Sequence, residues 1–134
     1  MNKINGHIEN IEVCDGLSIA SVRADANLLL KAIVIETPET VPYLKIGHKI
    51  TLVFKETEVI IATGDVLSIS LQNKIPASIQ NLTIGKLLCR LELNTSVGKV
   101  VSIISSNAVK QLGLTKGTSV TAMIKLNEVM LSEI

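Results

Sequence analysis

The stretch LKIGHKITLVFKETEVIIAT, residues 44–63, returns at residues 114–133 as LTKGTSVTAMIKLNEVMLSE. Leu44/Leu114, Gly47/Gly117, Thr51/Thr121, Lys55/Lys125, Glu58/Glu128 and Val59/Val129 coincide without a gap. Most other pairs exchange one apolar residue for another, as at Ile50/Val120, Val53/Met123, Phe54/Ile124 and Ile61/Leu131. The front halves follow in the same order: Asn2-Lys3-Ile4 stands against Asn73-Lys74-Ile75, and Ile8 against Ile79. Gly16 pairs with Gly85 if Cys14 and Asp15 are extra in the first copy. Self-similarity of this kind means two versions of one small unit. The chain of 134 residues then divides into a first unit at 1–64, a linker at 65–69 and a second unit at 70–134.

Each copy reads as strand, strand, strand, one helical turn, strand, strand. In the second copy the strands are expected near 74–83, 87–94, 98–105, 119–126 and 128–133. SSNAVKQLGL fills the break: Ser106 or Asn107 caps a short helix, Val109 and Leu112 form its apolar face, and Gly113 stops it. In the first copy the same slot is TPETVPYL, with Thr37 as cap, Pro38 at the first helical position and Pro42 ending the turn early. The expected fold class is all-β: two tandem OB-like five-stranded barrels, each with a short helix after the third strand. A barrel of about 65 residues is marginal alone, so pairing of the copies and oligomerisation are expected.

Composition narrows the function. The chain is 47% hydrophobic, which suffices for a packed core, yet it has one Phe (Phe54), one Tyr (Tyr43) and no Trp. Nucleic-acid platforms stack bases on aromatic rings, and a net charge of +1 gives no general pull on nucleic acid or anionic lipid. Neither nucleic acid nor a membrane is expected as partner. The longest apolar run, LLLKAIVI at 28–35, contains Lys31 and is too short to cross a bilayer. The N-terminus lacks the apolar stretch of a signal peptide, and Cys14 and Cys89 have no metal-type spacing, so both are read as buried thiols of a cytoplasmic protein. His7 and His48 have no counterparts in the second copy, where Ser78 and Thr118 stand. No phosphate loop, nucleophile elbow or carboxylate pair is present, so the chain is not expected to be an enzyme.

What does recur is small hydrogen-bond donors beside lysines. Lys55 and Lys125 close the fourth strand of each copy, followed two residues later by Thr57 or Asn127. Ser70, Asn73 and Lys74 open the second copy as Asn2 and Lys3 open the first, and Ser105, Ser106 and Asn107 precede the helical turn. A tetrahedral dianion needs such a mixture of N–H and O–H donors with one or two positive charges. The plainer reading is that terminal lysines guard sheet edges and Ser-Ser-Asn only caps a helix.

The duplication, with SLQNKIPASI opening the second copy, resembles the tandem Mop, or TOBE, molybdate-binding family, whose opening pattern is S-A-R-N-x-L-x-G-x-V and whose closing strand carries K-A-S. The resemblance covers the whole chain. It implies molybdate or tungstate bound between barrels, no organic cofactor, and a homo-oligomer, a dimer or trimer of tandem chains. Carried over by position, the oxyanion ligands are Ser70, Gln72, Ser105, Ser106, Asn107, Lys125 and Asn127, joined by Asn73 of the same opening segment. In the first copy they are Asn2, Thr37, Lys55 and Thr57. Gln72 replaces the family arginine, Ala77 replaces the glycine that the first copy keeps as Gly6, and Glu36 and Glu39 flank the first copy's turn. The second copy is therefore expected to carry the better half of any site.

The resulting expectation is cytoplasmic binding of molybdate or tungstate for storage, buffering or delivery in molybdenum homeostasis. The alternative is an oxyanion-sensing module acting on a transcription factor or molybdate transporter ATPase. A nucleic-acid-binding OB protein and a duplicate without ligand are the remaining contenders.

Overall fold

Alternation of side chains decides which face each strand buries. In KITLVF, Ile50, Leu52 and Phe54 are inside, and the matching SVTAMI buries Val120, Ala122 and Ile124. The computed structural model describes residues 1–65 and 68–134; Val66 and Leu67, inside the expected linker, lie outside the described residues.

The first repeat contains β1 (Asn2–Cys14), β2 (Leu17–Asp25), β3 (Leu28–Val34), β4 (Lys49–Phe54) and β5 (Ile60–Ala62). The second contains β6 (Asn73–Ile84), β7 (Leu88–Thr95), β8 (Gly98–Ser105), helix α1 (Ser106–Leu112), β9 (Ser119–Ile124) and β10 (Met130–Glu133). They form two five-stranded sheets, in the orders β10-β4-β1-β2-β3 and β5-β9-β6-β7-β8. The long strands turn a corner: β1 pairs with β4 through Asn2–His7 and with β2 through His7–Cys14. β6 does the same with β9 and β7. That bend curls each sheet toward the OB-like barrel expected from the sequence. Among the described residues, no helix is long and apolar enough to cross a membrane.

The last strands are exchanged. β5, at the end of the first repeat, pairs with β9 of the second, and β10 pairs with β4 of the first. The sheets and the sequence repeats thus part company at the final strand. The core follows the sheets: one cluster of buried side chains runs from Ile4, Ile8 and Phe54 to Ile75, Ile79 and Ile124. Sharing strands and core removes the weakness of a small barrel, because neither sheet is complete without the other repeat.

Several local expectations change. The pairs Ile8↔Val22 and Ile11↔Ala20 match Ile79↔Leu93 and Leu82↔Leu91, so the first hairpins correspond with no insertion at Cys14 and Asp15. Gly16 and Gly85 are not equivalent. Asp15 and Gly16, at φ 50 and 79, form a tight hairpin turn. Gly85 instead lies under the Leu88 carbonyl, where a Cβ has no room. The extra residue of the first repeat falls later, at a bulge between Arg23 and Asp25.

The first repeat has no helix after β3. The Thr40 and Val41 N–H groups both donate to the Thr37 carbonyl, and the turn goes no further. Pro42 has no N–H to donate and disfavours helical backbone at Val41, so a second turn cannot form. In the second repeat the cap is Ser105, one residue before the expected position, and its hydroxyl accepts from Ala108 N–H. Gly113 ends α1 in the left-handed conformation at φ 62, as expected, but Leu112 is exposed rather than part of an apolar face. Lys55 and Lys125 follow the fourth strands instead of ending them, each leading a 3-10 turn. Cys89 is buried, but Cys14 is exposed, because the tip of β1 projects beyond the covered part of its sheet.

Candidate functional site

The turn after β9 brings the second repeat's lysine to the segment that opens the same repeat. Lys125 has extended backbone at φ -67 and ψ 145, and its carbonyl accepts from Glu128 N–H at 3.0 Å, closing the Leu126–Glu128 turn. The turn packs against β3 of the other repeat. An open cleft of about 690 Å³ results, lined by Ser70, Gln72, Lys125 and Asn127 together with Ile33, Ile60, Ile69, Leu71 and Leu126. Four of the expected oxyanion residues therefore meet in one place. Among the described residues, no carboxylate lines the cleft and Lys125 forms no ion pair. One cation, two amides and a hydroxyl share the cleft with a wall of aliphatic side chains. Such a wall sheds water, which strengthens each polar contact made beside it.

The aliphatic wall was not singled out in the sequence. Ile33 and Ile60 come from the first repeat and reach the cleft only through the packing and exchange of strands. Their signal is faint: both are large apolar side chains left 38% and 45% exposed, at outward positions of strands that otherwise alternate.

Asn73 and Asn2 have a different use. Asn73 is buried; its Oδ1 accepts from Lys31 N–H at 2.7 Å and its Nδ2 donates to the Lys31 carbonyl at 2.8 Å. Asn2 does the same to Val101, at 2.8 Å in both directions. Lys31 and Val101 lie on β3 and β8, which are edge strands of the two sheets. Each asparagine thus imitates one peptide unit of a neighbouring strand and seals the edge of the other repeat's sheet.

Ser105 and the first residues of α1 stay apart from the cleft. The Ser105 hydroxyl is spent on the cap, and Ser106 is buried, donating to the Gly85 carbonyl at 2.8 Å while the Cys89 thiol donates to it at 3.3 Å. Asn107 is exposed. In the first repeat, Lys55 and Thr57 are exposed on the equivalent 3-10 turn. Thr37 lines a separate cleft of about 550 Å³ with Glu36, Pro38, Glu39 and Thr40. Its surroundings are acidic: burial first, then the charges of Glu36 and Glu133, push the nearby Tyr43 phenol up from its ordinary value.

Comparison with known proteins agrees with this architecture. Residues 69–131 match the TOBE domain. Molybdenum-pterin-binding protein 1 of Clostridium pasteurianum is 35% identical over 66 residues, 48% of this chain and 97% of that protein. Molybdenum-pterin-binding protein 2 of the same organism is 33% identical over the same shares. A molybdate-bound crystal structure of the cytoplasmic molybdate-binding protein ModG superposes with a TM-score of 0.91, covering 99% of this chain and 96% of the other at 22% identity. That likeness extends to the paired sheets as a whole. The chain belongs to the Mop/TOBE domain family.

Proposed function

We propose that this protein binds molybdate or tungstate in the cytoplasm, and that it stores, buffers or delivers the anion without any covalent step. The observation that carries this reading is the cleft in which Ser70, Gln72, Lys125 and Asn127 converge with no carboxylate on its lining. A dianion there receives one full positive charge and hydrogen bonds from a hydroxyl and two amides. Hydrogen bonds to charged groups contribute roughly 1.5–3 kcal/mol each. Gln72 stands where the family arginine would, supplying donors without charge. ModG is a molybdate-binding protein and the similar Clostridium pasteurianum proteins are molybdenum-pterin-binding proteins, so molybdenum is common to both.

The cleft is open and much larger than one tetrahedral oxyanion, and its rim carries the exposed Ile33, Ile60 and Ile69. We propose that a second chain covers this rim, making the working form a homo-oligomer in which the covered ligand stabilises the assembly by mass action. The repeats at 1–64 and 70–134, joined through 65–69, act as one binding unit rather than as two free domains.

Native mass spectrometry with molybdate, tungstate and sulfate tests this. Discrete molybdate and tungstate adducts on an oligomer, with none from sulfate at equal concentration, are expected. An oligomer that takes up no oxyanion would refute the reading.

A further inference from the structure

The two repeats present the same turn with a difference in charge. Lys55 and Lys125 have nearly the same backbone, φ -74 and ψ 146 against φ -67 and ψ 145, and both carbonyls accept the N–H three residues on at 3.0 Å. Each turn packs against the third strand of the other repeat, the Lys125 turn on β3 and the Lys55 turn on β8. One apolar position corresponds as well: Met130 stands where Ile60 does, and is similarly exposed, at 48%. Between lysine and polar residue, however, the second repeat has Leu126 and the first has Glu56.

We infer that Glu56 closes the first repeat's counterpart of the cleft to oxyanions, so that only the Lys125 cleft of each chain is loaded. This rests on the reading of the Lys125 cleft as the oxyanion site. Leu126 lines that cleft, and Glu56 holds the equivalent position on the first repeat's turn. A carboxylate there meets the dianion with like charge at close range, where repulsion persists despite partial screening by water. It also accepts hydrogen bonds from the donors the ligand would need. Glu56 Oε1 lies 3.2 Å from the Met1 amine, but with both groups 30–40% exposed this pair is screened by water and does not convert the position into a cationic one. Thr57 compounds the difference, offering one hydroxyl donor where Asn127 offers an amide with two.

The test is molybdate stoichiometry by native mass spectrometry on the full chain, for the wild type, Glu56→Leu, Glu56→Gln and Leu126→Glu, with melting temperatures recorded alongside. Wild type is expected to fill one class of site. Glu56→Leu and Glu56→Gln should each double the molybdate bound per chain, and Leu126→Glu should weaken binding at the remaining site at least about tenfold, a change of ~1.4 kcal/mol. Equal stoichiometry in wild type and both Glu56 variants would overturn the inference. A wild type that binds no molybdate would overturn the site reading itself, and this inference with it. The near-isosteric Glu56→Gln keeps the test valid if a leucine disturbs the fold.

Discussion

Asn73→Ala is expected to lower the melting temperature by about 10 °C without touching the Lys125 cleft. The side chain bonds both polar groups of the Lys31 peptide, on an edge strand that has no further strand to satisfy them. Truncation strands a half-buried donor and acceptor, at ~1–3 kcal/mol each when water cannot replace the partner. For a domain of this size a loss of about 3 kcal/mol moves the midpoint by ~3 °C per kcal/mol. Asn73→Asp should be at least as damaging, because it keeps an acceptor for Lys31 N–H but sets a carboxylate oxygen against the Lys31 carbonyl. Differential scanning calorimetry reads both. A shift under about 2 °C for Asn73→Ala would mean that water serves this strand edge as well as the amide does.

Lys125→Ala should have the opposite profile: a large loss of molybdate affinity with little change in stability. Lys125 is exposed, lies outside the hydrogen-bonded strands and forms no ion pair among the described residues. Its amino group is the one full positive charge lining the cleft. Removing a charge-assisted contact worth roughly 1.5–3 kcal/mol weakens binding by about ten- to a hundredfold. Isothermal titration calorimetry measures the affinity, and a melting curve controls for folding. Lys125→Arg should retain part of the affinity, since the charge persists while the donor geometry changes. An affinity unchanged in Lys125→Ala would place the oxyanion elsewhere.

The strands were legible because period-two burial and a duplicated pattern reinforce each other. Thr51/Thr121 and Gly47/Gly117 sit at equivalent places in both repeats. The exchange of β5 and β10 was not legible, because a short IIA strand satisfies the same hydrogen bonds whichever sheet it joins. Glycine matching misled at Gly16 and Gly85, since one needs positive φ and the other needs an absent Cβ. In the proposed site, Ser70, Lys125 and Asn127 were legible from their donor chemistry, and Gln72 only through the resemblance to the Mop family. Asn2 and Asn73 carry the same chemistry, but burial turns it inward to the backbone of the opposite repeat. Donor type alone does not distinguish a group that meets a ligand from one that meets a strand edge. The aliphatic wall escaped notice for the reverse reason: isoleucines in a strand are ordinary until packing leaves them beside a lysine.

Everything proposed for this protein depends on an oxyanion occupying the cleft after β9. Crystals grown with molybdate, measured above the molybdenum absorption edge, test it most directly. An anomalous difference peak is expected within hydrogen-bonding distance of Lys125 and bordered by Ser70, Gln72 and Asn127, with none beside Lys55. Molybdenum peaks confined to other parts of the chain, or an empty Lys125 cleft in a crystal that holds the anion elsewhere, would contradict it.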